Sequence, residues 1–144
     1  MTAQELINAL DLKPHPEGGW YRETWRADAK DGERAAASAV LYMIQPGQRS
    51  NWNRVNAHEI WLWHAGDPVD VSIAEGVAEP VRTVRLGGRV TQGEALQLII
   101  PADQWQAAEP APDGAAGYTL ISCIVAPAFE FSGFELAEPG WAPG

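Results

Sequence analysis

The N-terminal residues carry a short helical pattern of apolar positions. Leu6, Ile7 and Leu10 recur at the spacing of one helix face. They follow the segment Thr2–Glu5, which has the form of a capping box because a threonine is followed three residues later by a glutamate. Pro14 interrupts the pattern. We therefore predict one helix over roughly residues 3 to 10.

From Trp20 onward the pattern changes to short β-favouring runs separated by Gly and Pro turns. Many short runs bounded by turn residues are typical of a β-sandwich or barrel. The predicted strands are Trp20–Trp25, Ala37–Ile44, His58–His64, Val69–Ala74, Val81–Leu86, Leu96–Ile100, Trp105–Ala108, Tyr118–Val125 and Phe129–Phe134. The expected fold class is therefore all-β with one short N-terminal helix.

The run His58–His64 predicts a strand that is covered on both faces. Successive side chains of a strand point to opposite faces, so Glu59 and Trp61 share one face. The other face carries Ile60 and Leu62 between the two histidines. We expect one face to line the barrel interior. The other then packs on a further element or on a second copy of the chain, which predicts a homodimer.

The composition limits the partners that the chain can have. A length of 144 residues predicts a single domain over residues 1–144. The formal net charge of -9 would repel a nucleic-acid phosphate backbone and an anionic membrane surface. No run approaches the roughly 18 apolar residues of a membrane helix, and no secretory signal opens the chain. These features predict a cytoplasmic protein that binds neither nucleic acid nor membrane.

Three residues stand at the spacings of a known barrel motif. Gly47, Glu59 and Gly66 match the first motif of the cupin barrel, in which a glycine is followed by His-x-His, Glu and Gly. The two histidine positions are Asn53 and Val55 here, and Gln106 stands where the second cupin motif has its histidine. The skeleton of the motif is present, while most of its metal ligands are replaced.

The resemblance extends along nearly the whole chain. The sequence resembles the uncharacterised fifth family of the cupin superfamily. The matching residues are Pro14–Thr24, Arg54-Val55, Glu59–Trp61, Gly93-Glu94, Gln97, Pro101, Trp105-Gln106, Cys123–Pro127, Phe129, Phe131, Phe134 and Glu135. The family implies a double-stranded β-helix, the cupin jelly roll, which is often dimeric and similar in shape to metal-free sugar-nucleotide epimerases. It implies no established reaction.

The donor atoms around Glu59 predict a site without a metal or other cofactor. A catalytic metal site needs about three good protein ligands, and Asn53 and Gln106 offer only neutral amide oxygens. His15 could approach from the N-terminal loop, but one histidine and one carboxylate make a poor site. We therefore expect neither a metal nor a cofactor.

Glu59 is the candidate catalytic carboxyl. Burial beside tryptophans would disfavour its charged form, raise its pKa and prepare it for proton transfer near neutral pH. The alternative is that Glu59 forms an inert ion pair with Arg54 or Arg22. Three neighbouring amides, Asn53, Gln97 and Gln106, are candidate ligand-binding groups; ordinary hydrogen bonding between strands is the alternative for each. Trp61 and Trp105 are candidates for an aromatic stacking wall.

The segment Pro14–Gly19 predicts a rigid loop that carries a second acid–base group. His15 and Glu17 lie between prolines and two glycines, and such a loop could close over a barrel mouth. The alternative is a tight turn in which His15 only caps the backbone. Tyr21 follows directly on the next strand as a candidate ligand-binding residue or proton donor.

These features predict a metal-free cupin that binds a small polar metabolite such as a sugar derivative or nucleotide. Proton transfer of the isomerase or epimerase type would follow, with Glu59 and His15 as catalytic residues. One alternative is a non-enzymatic binding or sensor module that uses the same cavity. Another is a metal-dependent cupin oxygenase or decarboxylase, which the absence of histidine at positions 53, 55 and 106 disfavours.

Overall fold

The computed structural model describes residues 1–144 and consists of one α-helix and eleven β-strands. The helix α1 spans Ala3–Leu10. The strands are β1 Lys13–Pro14, β2 Trp20–Arg26, β3 Ser38–Ile44, β4 Ser50–Val55, β5 His58–Gly66, β6 Val69–Ala74, β7 Arg82–Leu86, β8 Gln97–Ile100, β9 Trp105–Pro110, β10 Thr119–Ala126 and β11 Phe134–Leu136. The all-β fold class with one N-terminal helix is confirmed.

The helix α1 has the predicted bounds, and its start and end have clear local causes. The Thr2 hydroxyl accepts a hydrogen bond from the Glu5 backbone N–H at 3.1 Å, as a capping box requires. The helix ends before Pro14 is reached, because Asp11 adopts a left-handed conformation with φ of 53°. No helix in the chain has the length and hydropathy that a membrane span requires.

Two antiparallel sheets face one another. One has the strand order β1-β2-β3-β10-β5-β8 and the other the order β11-β4-β9-β6-β7. Both sheets also pair strands from distant parts of the chain, such as β3 with β10 and β4 with β9, as in a jelly roll. The side chains of the two inner faces form the main core. The buried residues of that core are Tyr42, Ile44, Trp61, Val69, Val71, Ile73, Leu86, Leu98, Ile100, Ala108, Ile121 and Cys123.

Helix α1 lies on the outer face of the six-stranded sheet. Its residues Leu6 and Ile7 are buried together with Met43 of β3 and Leu120 of β10. The helix covers only the end of the outer face that carries Met43 and Leu120. Elsewhere on this face no helix covers the strands, and Ile60 and Leu62 of β5 are half-buried.

The predicted strands differ from the structure in two segments, since β4 was not predicted and the strand Phe129–Phe134 is wrong. The strand β4 lies in a segment whose Ser, Asn and Arg residues have low β-propensity, yet it pairs with both β9 and β11. The segment Phe129–Phe134 is a strand only at its last residue, where β11 begins; before it lies a 3-10 turn at Phe131–Gly133. This turn is closed by a hydrogen bond from Gly133 N to Glu130 O at 2.9 Å.

Candidate functional site

A cavity of about 470 Å³ opens between the two sheets at one end of the barrel. Its walls come from the loop before β2, from the inner faces of both sheets and from the loop that follows β10. The lining residues are His15, Glu17, Tyr21, Glu23, Arg26, Ser38, Val40, Tyr42, Asn53, Val55, Glu59, Gln106, Cys123, Val125, Phe129, Glu130, Phe131, Ser132 and Phe134. This size matches a ligand of small-molecule dimensions.

The loop His15–Gly19 is held against the barrel by a backbone that only glycine can adopt. Gly18 has a φ of 108°, and a Cβ there would stand 2.1 Å from the Arg49 carbonyl oxygen. The Tyr42 hydroxyl donates to the Gly18 carbonyl oxygen. The Asn51 backbone N–H donates to the Glu17 carbonyl oxygen at 2.9 Å. The two predicted glycines therefore place His15 and Glu17 at the cavity wall.

Glu59 lies at the inner end of the cavity without a basic partner. Its side chain is buried, with 9% of the residue exposed, and its Oε1 accepts from Gln106 Nε2 at 2.9 Å. The Cys123 thiol also hydrogen-bonds to this carboxyl. Burial raises the pKa of Glu59 above its usual value, although the hydrogen bonds from Gln106 and Cys123 oppose the shift.

The inert ion pair considered for Glu59 does not form. Arg54 instead pairs with Glu135 at 3.1 Å on the outside of the barrel, and the Arg54 guanidinium stacks on the Trp105 ring. Arg22 is exposed on β2 and makes no ion pair. The Glu59 carboxyl therefore carries only neutral hydrogen-bond donors.

His15 and Glu17 are neighbours, but they do not form an ion pair. His15 Nδ1 accepts from the Glu17 backbone N–H at 3.0 Å, which leaves the ring proton on Nε2. Burial lowers the pKa of His15 to about 4. Burial and the nearby Glu59 charge raise the pKa of Glu17 to about 8. The separation of 3.8 Å between Nδ1 and the Glu17 carboxyl is therefore a contact between two uncharged groups at neutral pH.

Asn53 and Gln106 line the cavity from the facing sheet, where they form a register pair between β4 and β9. The Asn53 amide nitrogen donates to the Asn51 carbonyl oxygen at 2.7 Å, so its amide oxygen remains free. The Gln106 Oε1 accepts from the Trp61 indole N–H at 3.0 Å while its amide nitrogen donates to Glu59. Gln106 thus connects the packed interior to the carboxyl.

Tyr21 lines the cavity next to His15, with ring centroids 4.5 Å apart in an edge-on arrangement. Three residues predicted to contact a ligand do not line it. Trp61 lies below the cavity floor and reaches it only through Gln106.

Gln97 and Trp105 lie outside the cavity for reasons of strand geometry. Leu98 of β8 faces the core, so Gln97 faces solvent on the outer surface. Gln106 faces the cavity, so Trp105 points to the other side of its sheet and packs on Trp141 at 4.6 Å. The placement of both residues in the pocket is therefore corrected.

Several residues that line the cavity are not among the site residues predicted from the sequence. Tyr42 and Cys123 are buried as expected for core residues, and burial raises the pKa of both groups. They also face the cavity, because they share the inner face of β3 and β10 with the residues that surround it. The signal in the sequence that could have identified Tyr42 and Cys123 is strand alternation, which places both on the inner face of the sheet that carries Glu59. The aromatic group Phe129, Phe131 and Phe134 could not be placed by strand periodicity.

The residues at the cupin metal positions do not fit a metal ion. Val55 carries no donor atom, and the Gln106 amide nitrogen rather than its oxygen is directed at Glu59. The bond from Trp61 to the Gln106 oxygen fixes that orientation. No three His, Cys, Asp or Glu side chains come together as ligands. The site therefore lacks the donor set that a metal-dependent reaction needs.

Comparison with known proteins agrees with the barrel and its motif. Residues 4–137 match the family model described as "Cupin superfamily (DUF985)". The chain belongs to this cupin family. No functionally curated protein matches it closely.

Two solved structures resemble this cupin over nearly its whole length. A hypothetical protein from Leishmania major is 33% identical, with 95% of this chain and 88% of that chain covered and a TM-score of 0.84. A protein from Shewanella oneidensis is 30% identical, with 96% and 85% covered and a TM-score of 0.87.

A more distant structure shares the fold alone. L-ribose isomerase from Cellulomonas parahominis, solved with L-psicose, is 13% identical. The match covers 86% of this cupin and 79% of that enzyme, with a TM-score of 0.61.

Proposed function

We propose that this cupin binds a small polar metabolite of the sugar type in the cavity and transfers a proton within it through Glu59. The observation that carries the proposal is a buried carboxyl that faces a ligand-sized cavity and has no basic partner. A carboxyl with a raised pKa can both accept and return a proton near neutral pH.

The proposed reaction is an isomerisation or epimerisation next to a carbonyl group. The Glu59 carboxylate takes the proton from the carbon beside the carbonyl, and the C–H electrons form an enediol. A donor on the facing loop protonates the carbonyl oxygen. In an isomerisation, Glu59 then returns its proton to the neighbouring carbon, and the loop donor recovers a proton from the hydroxyl group that becomes the new carbonyl. In an epimerisation, a loop acid instead protonates the opposite face of the original carbon, because Glu59 reaches only the face from which it took the proton. The loop donor then recovers its proton from the enediol hydroxyl, and solvent takes the proton from Glu59 and reprotonates the loop acid.

The loop His15–Gly19 supplies two candidate donors for the carbonyl oxygen. The neutral His15 ring carries its proton on Nε2, and a neutral imidazole N–H can polarise a carbonyl. Glu17, with a pKa raised to about 8, is a neutral acid at pH 7. The similarity of fold to L-ribose isomerase is compatible with this chemistry, but a shared fold does not carry an activity with it.

Solvent deuterium exchange tests the reaction without a known product. The protein is incubated in D₂O with a panel of aldopentoses, ketopentoses and hexoses, and deuterium at the carbon beside the carbonyl is followed by NMR. We expect exchange of at least one sugar, and a loss of about 100-fold or more in Glu59→Gln. Glu135→Gln removes a carboxylate outside the cavity and serves as the matched control. Equal exchange rates in Glu59→Gln and wild type would refute the assignment.

A second candidate function is ligand binding without turnover. It is favoured by the two hydrogen bonds that Gln106 and Cys123 make to Glu59, because these hold the carboxyl in place. This reading predicts that a sugar raises the unfolding temperature of the protein while no deuterium enters it in D₂O.

We also propose that a second copy of the chain covers the outer face of the six-stranded sheet. Trp25, Ala39, Ile124, Ile60 and Ile99 form one apolar row across β2, β3, β10, β5 and β8. The two end residues are open to solvent, with Trp25 53% and Ile99 61% exposed. Sedimentation at micromolar concentration should show a dimer, and Ile99→Glu should give a monomer. A wild-type monomer would contradict the proposal.

A further inference from the structure

The cavity is lined by acidic groups, and it offers no free cation. Four carboxyl side chains line it, namely Glu17, Glu23, Glu59 and Glu130. Arg26 is the single Lys or Arg side chain among the lining residues. His15 supplies no positive charge at neutral pH, since its Nδ1 is already occupied as an acceptor.

Arg26 is held by groups of the protein itself. Its Nε donates to Glu23 Oε1 at 2.9 Å, and its Nη2 donates to Glu23 Oε2 at 2.8 Å. The same Nη2 also donates to the Phe129 carbonyl oxygen at 2.6 Å. This two-point contact with a carboxylate neutralises the guanidinium and fixes its orientation.

The second acidic residue at the mouth, Glu130, also has a partner within the protein. Its carboxylate forms an ion pair with Arg34, with 3.0 Å between Glu130 Oε1 and Arg34 Nε, and Arg34 itself does not line the cavity. A phosphate or carboxylate that entered the mouth would therefore meet two satisfied ion pairs. Deeper in the cavity it would meet Glu17 and Glu59, and the Glu59 charge would repel it.

Away from the His15–Gly19 loop, the amide donors and the Tyr42 hydroxyl of the polar wall are used within the protein. The Asn53 amide nitrogen donates to Asn51, and the Gln106 amide nitrogen donates to Glu59. The Tyr42 hydroxyl donates to Gly18. What remains open on this part of the wall is acceptor capacity, in the Asn53 amide oxygen and the carboxyl of Glu59. Such a wall requires a ligand that brings its own O–H donors.

The remaining wall is aromatic. Phe129, Phe131 and Phe134 contact one another edge to face, with centroids 4.9 to 6.1 Å apart. Phe131 is 54% exposed at the mouth. Aromatic faces suit the apolar C–H faces of a carbohydrate ring and do nothing to neutralise an anion.

We propose that the cavity selects uncharged, hydroxyl-rich ligands and rejects the same compounds when they carry a phosphate or carboxylate. This inference rests on the proposed binding function and narrows its ligand class. Of the two ligand classes that the sequence indicated, a sugar without an anionic group remains and a nucleotide is excluded. The selection comes from repulsion and from the absence of a free cation, not from a poor steric fit.

Matched pairs of ligands test the selection by calorimetry and by ligand-observed NMR at pH 7. The probes are ribose and ribose 5-phosphate, fructose and fructose 6-phosphate, glucose and glucuronate, and uridine and uridine monophosphate. We expect at least one neutral sugar to bind and its anionic partner to bind at least 30-fold more weakly. Glucosamine tests whether a cation is preferred over neutral glucose.

A charge variant separates repulsion from shape. Glu23→Gln releases Arg26 from its carboxylate partner and should narrow the difference between a sugar and its phosphate by about 10-fold. Glu135→Gln, which alters an ion pair outside the cavity, should leave the difference unchanged.

Three results would overturn the proposed selection. In the first, an anionic ligand binds as tightly as its neutral partner; in the second, glucosamine binds more tightly than glucose; in the third, no uncharged ligand binds.

The failure of this selection can be distinguished from the failure of the proposed proton transfer. Deuterium exchange of a phosphorylated sugar would support proton transfer while refuting the selection. Binding of a neutral sugar without exchange would support the selection while refuting proton transfer.

Discussion

On the inner face of β5, Trp61 and Glu59 are two residues apart and belong to different ends of the barrel interior. Trp61 is 2% exposed and packs in a continuous apolar core. Glu59 faces a cavity of about 470 Å³ whose walls carry three further carboxyls. The same change occurs on β3, where Ile44 belongs to the core and Val40 lines the cavity.

This comparison shows that one barrel interior serves two purposes. The closed end supplies the burial of apolar surface that stabilises the fold. The open end holds polar groups that the core could not accommodate without hydrogen-bond partners. Gln106 marks the boundary, since it accepts from Trp61 of the core and donates to Glu59 of the cavity.

The largest effect is expected where the open end is held in shape by its loop. Gly18→Ala should lower the free energy of unfolding by about 3 kcal/mol, because a Cβ would stand 2.1 Å from the Arg49 carbonyl oxygen at a φ of 108°. Gly47→Ala is the matched control: its φ is also positive, but nothing lies within 4 Å of the added Cβ. Urea denaturation measures both, and equal losses would contradict the role of close approach.

A matched pair of valines tests the difference between the two ends directly. Val71 is fully buried in the core, whereas Val40 is half-buried and lines the cavity. Val71→Ala should cost about 2 kcal/mol of unfolding free energy, because it removes two buried methyl groups and leaves a void. Val40→Ala should cost less than about 1 kcal/mol, since the space beside it is already open. Losses of similar size in urea denaturation would mean that the cavity is closed in solution.

The smallest expected effect on stability comes from the titration of Glu17 and His15 at the open end of the barrel. The pKa of Glu17 is raised to about 8 in the folded protein, so the folded state holds a proton that the unfolded state releases above its ordinary pKa. Stability should therefore fall as the pH rises toward 8. His15, with a pKa lowered to about 4, contributes the opposite slope between about pH 4 and 6.5.

Between about pH 6.5 and 8 His15 no longer changes the stability, so only the titration of Glu17 contributes. The free energy of unfolding should fall by about 1–2 kcal/mol over this range. Glu17→Gln should remove this decline, as measured by urea denaturation at the two pH values, with Glu135→Gln as the control. An unchanged decline in Glu17→Gln would assign it to another group.

The sequence predicted the architecture well where local signals are strong. The capping residue Thr2, the alternation around Glu59 and the paired glycines of the His15–Gly19 loop each had a direct physical meaning and led to the observed structure. It failed for β4, because polar residues that face a cavity do not look like a strand. It also failed for Phe129–Phe134, where the β-favouring residues Phe129 and Phe131 lie in a loop and a short turn and only Phe134 belongs to a strand.

The residues of the candidate site were also predicted correctly in part and wrongly in part. Glu59, Asn53 and Gln106 were placed together by the cupin motif, and His15, Glu17 and Tyr21 join them at the cavity. Alternation along β8 and β9 could have excluded Gln97 and Trp105, because their neighbours Leu98 and Gln106 face inward.

The sequence by itself determined the family, the fold class and the identity of the central carboxyl, because these depend on local patterns and on residues at fixed spacings. Only the tertiary structure decided which charges meet. It pairs Arg54 with Glu135 across β4 and β11, and it leaves Glu59 with neutral partners. Pairings between residues up to 81 positions apart depend on strand register across the sheets, which the local composition of the chain does not encode.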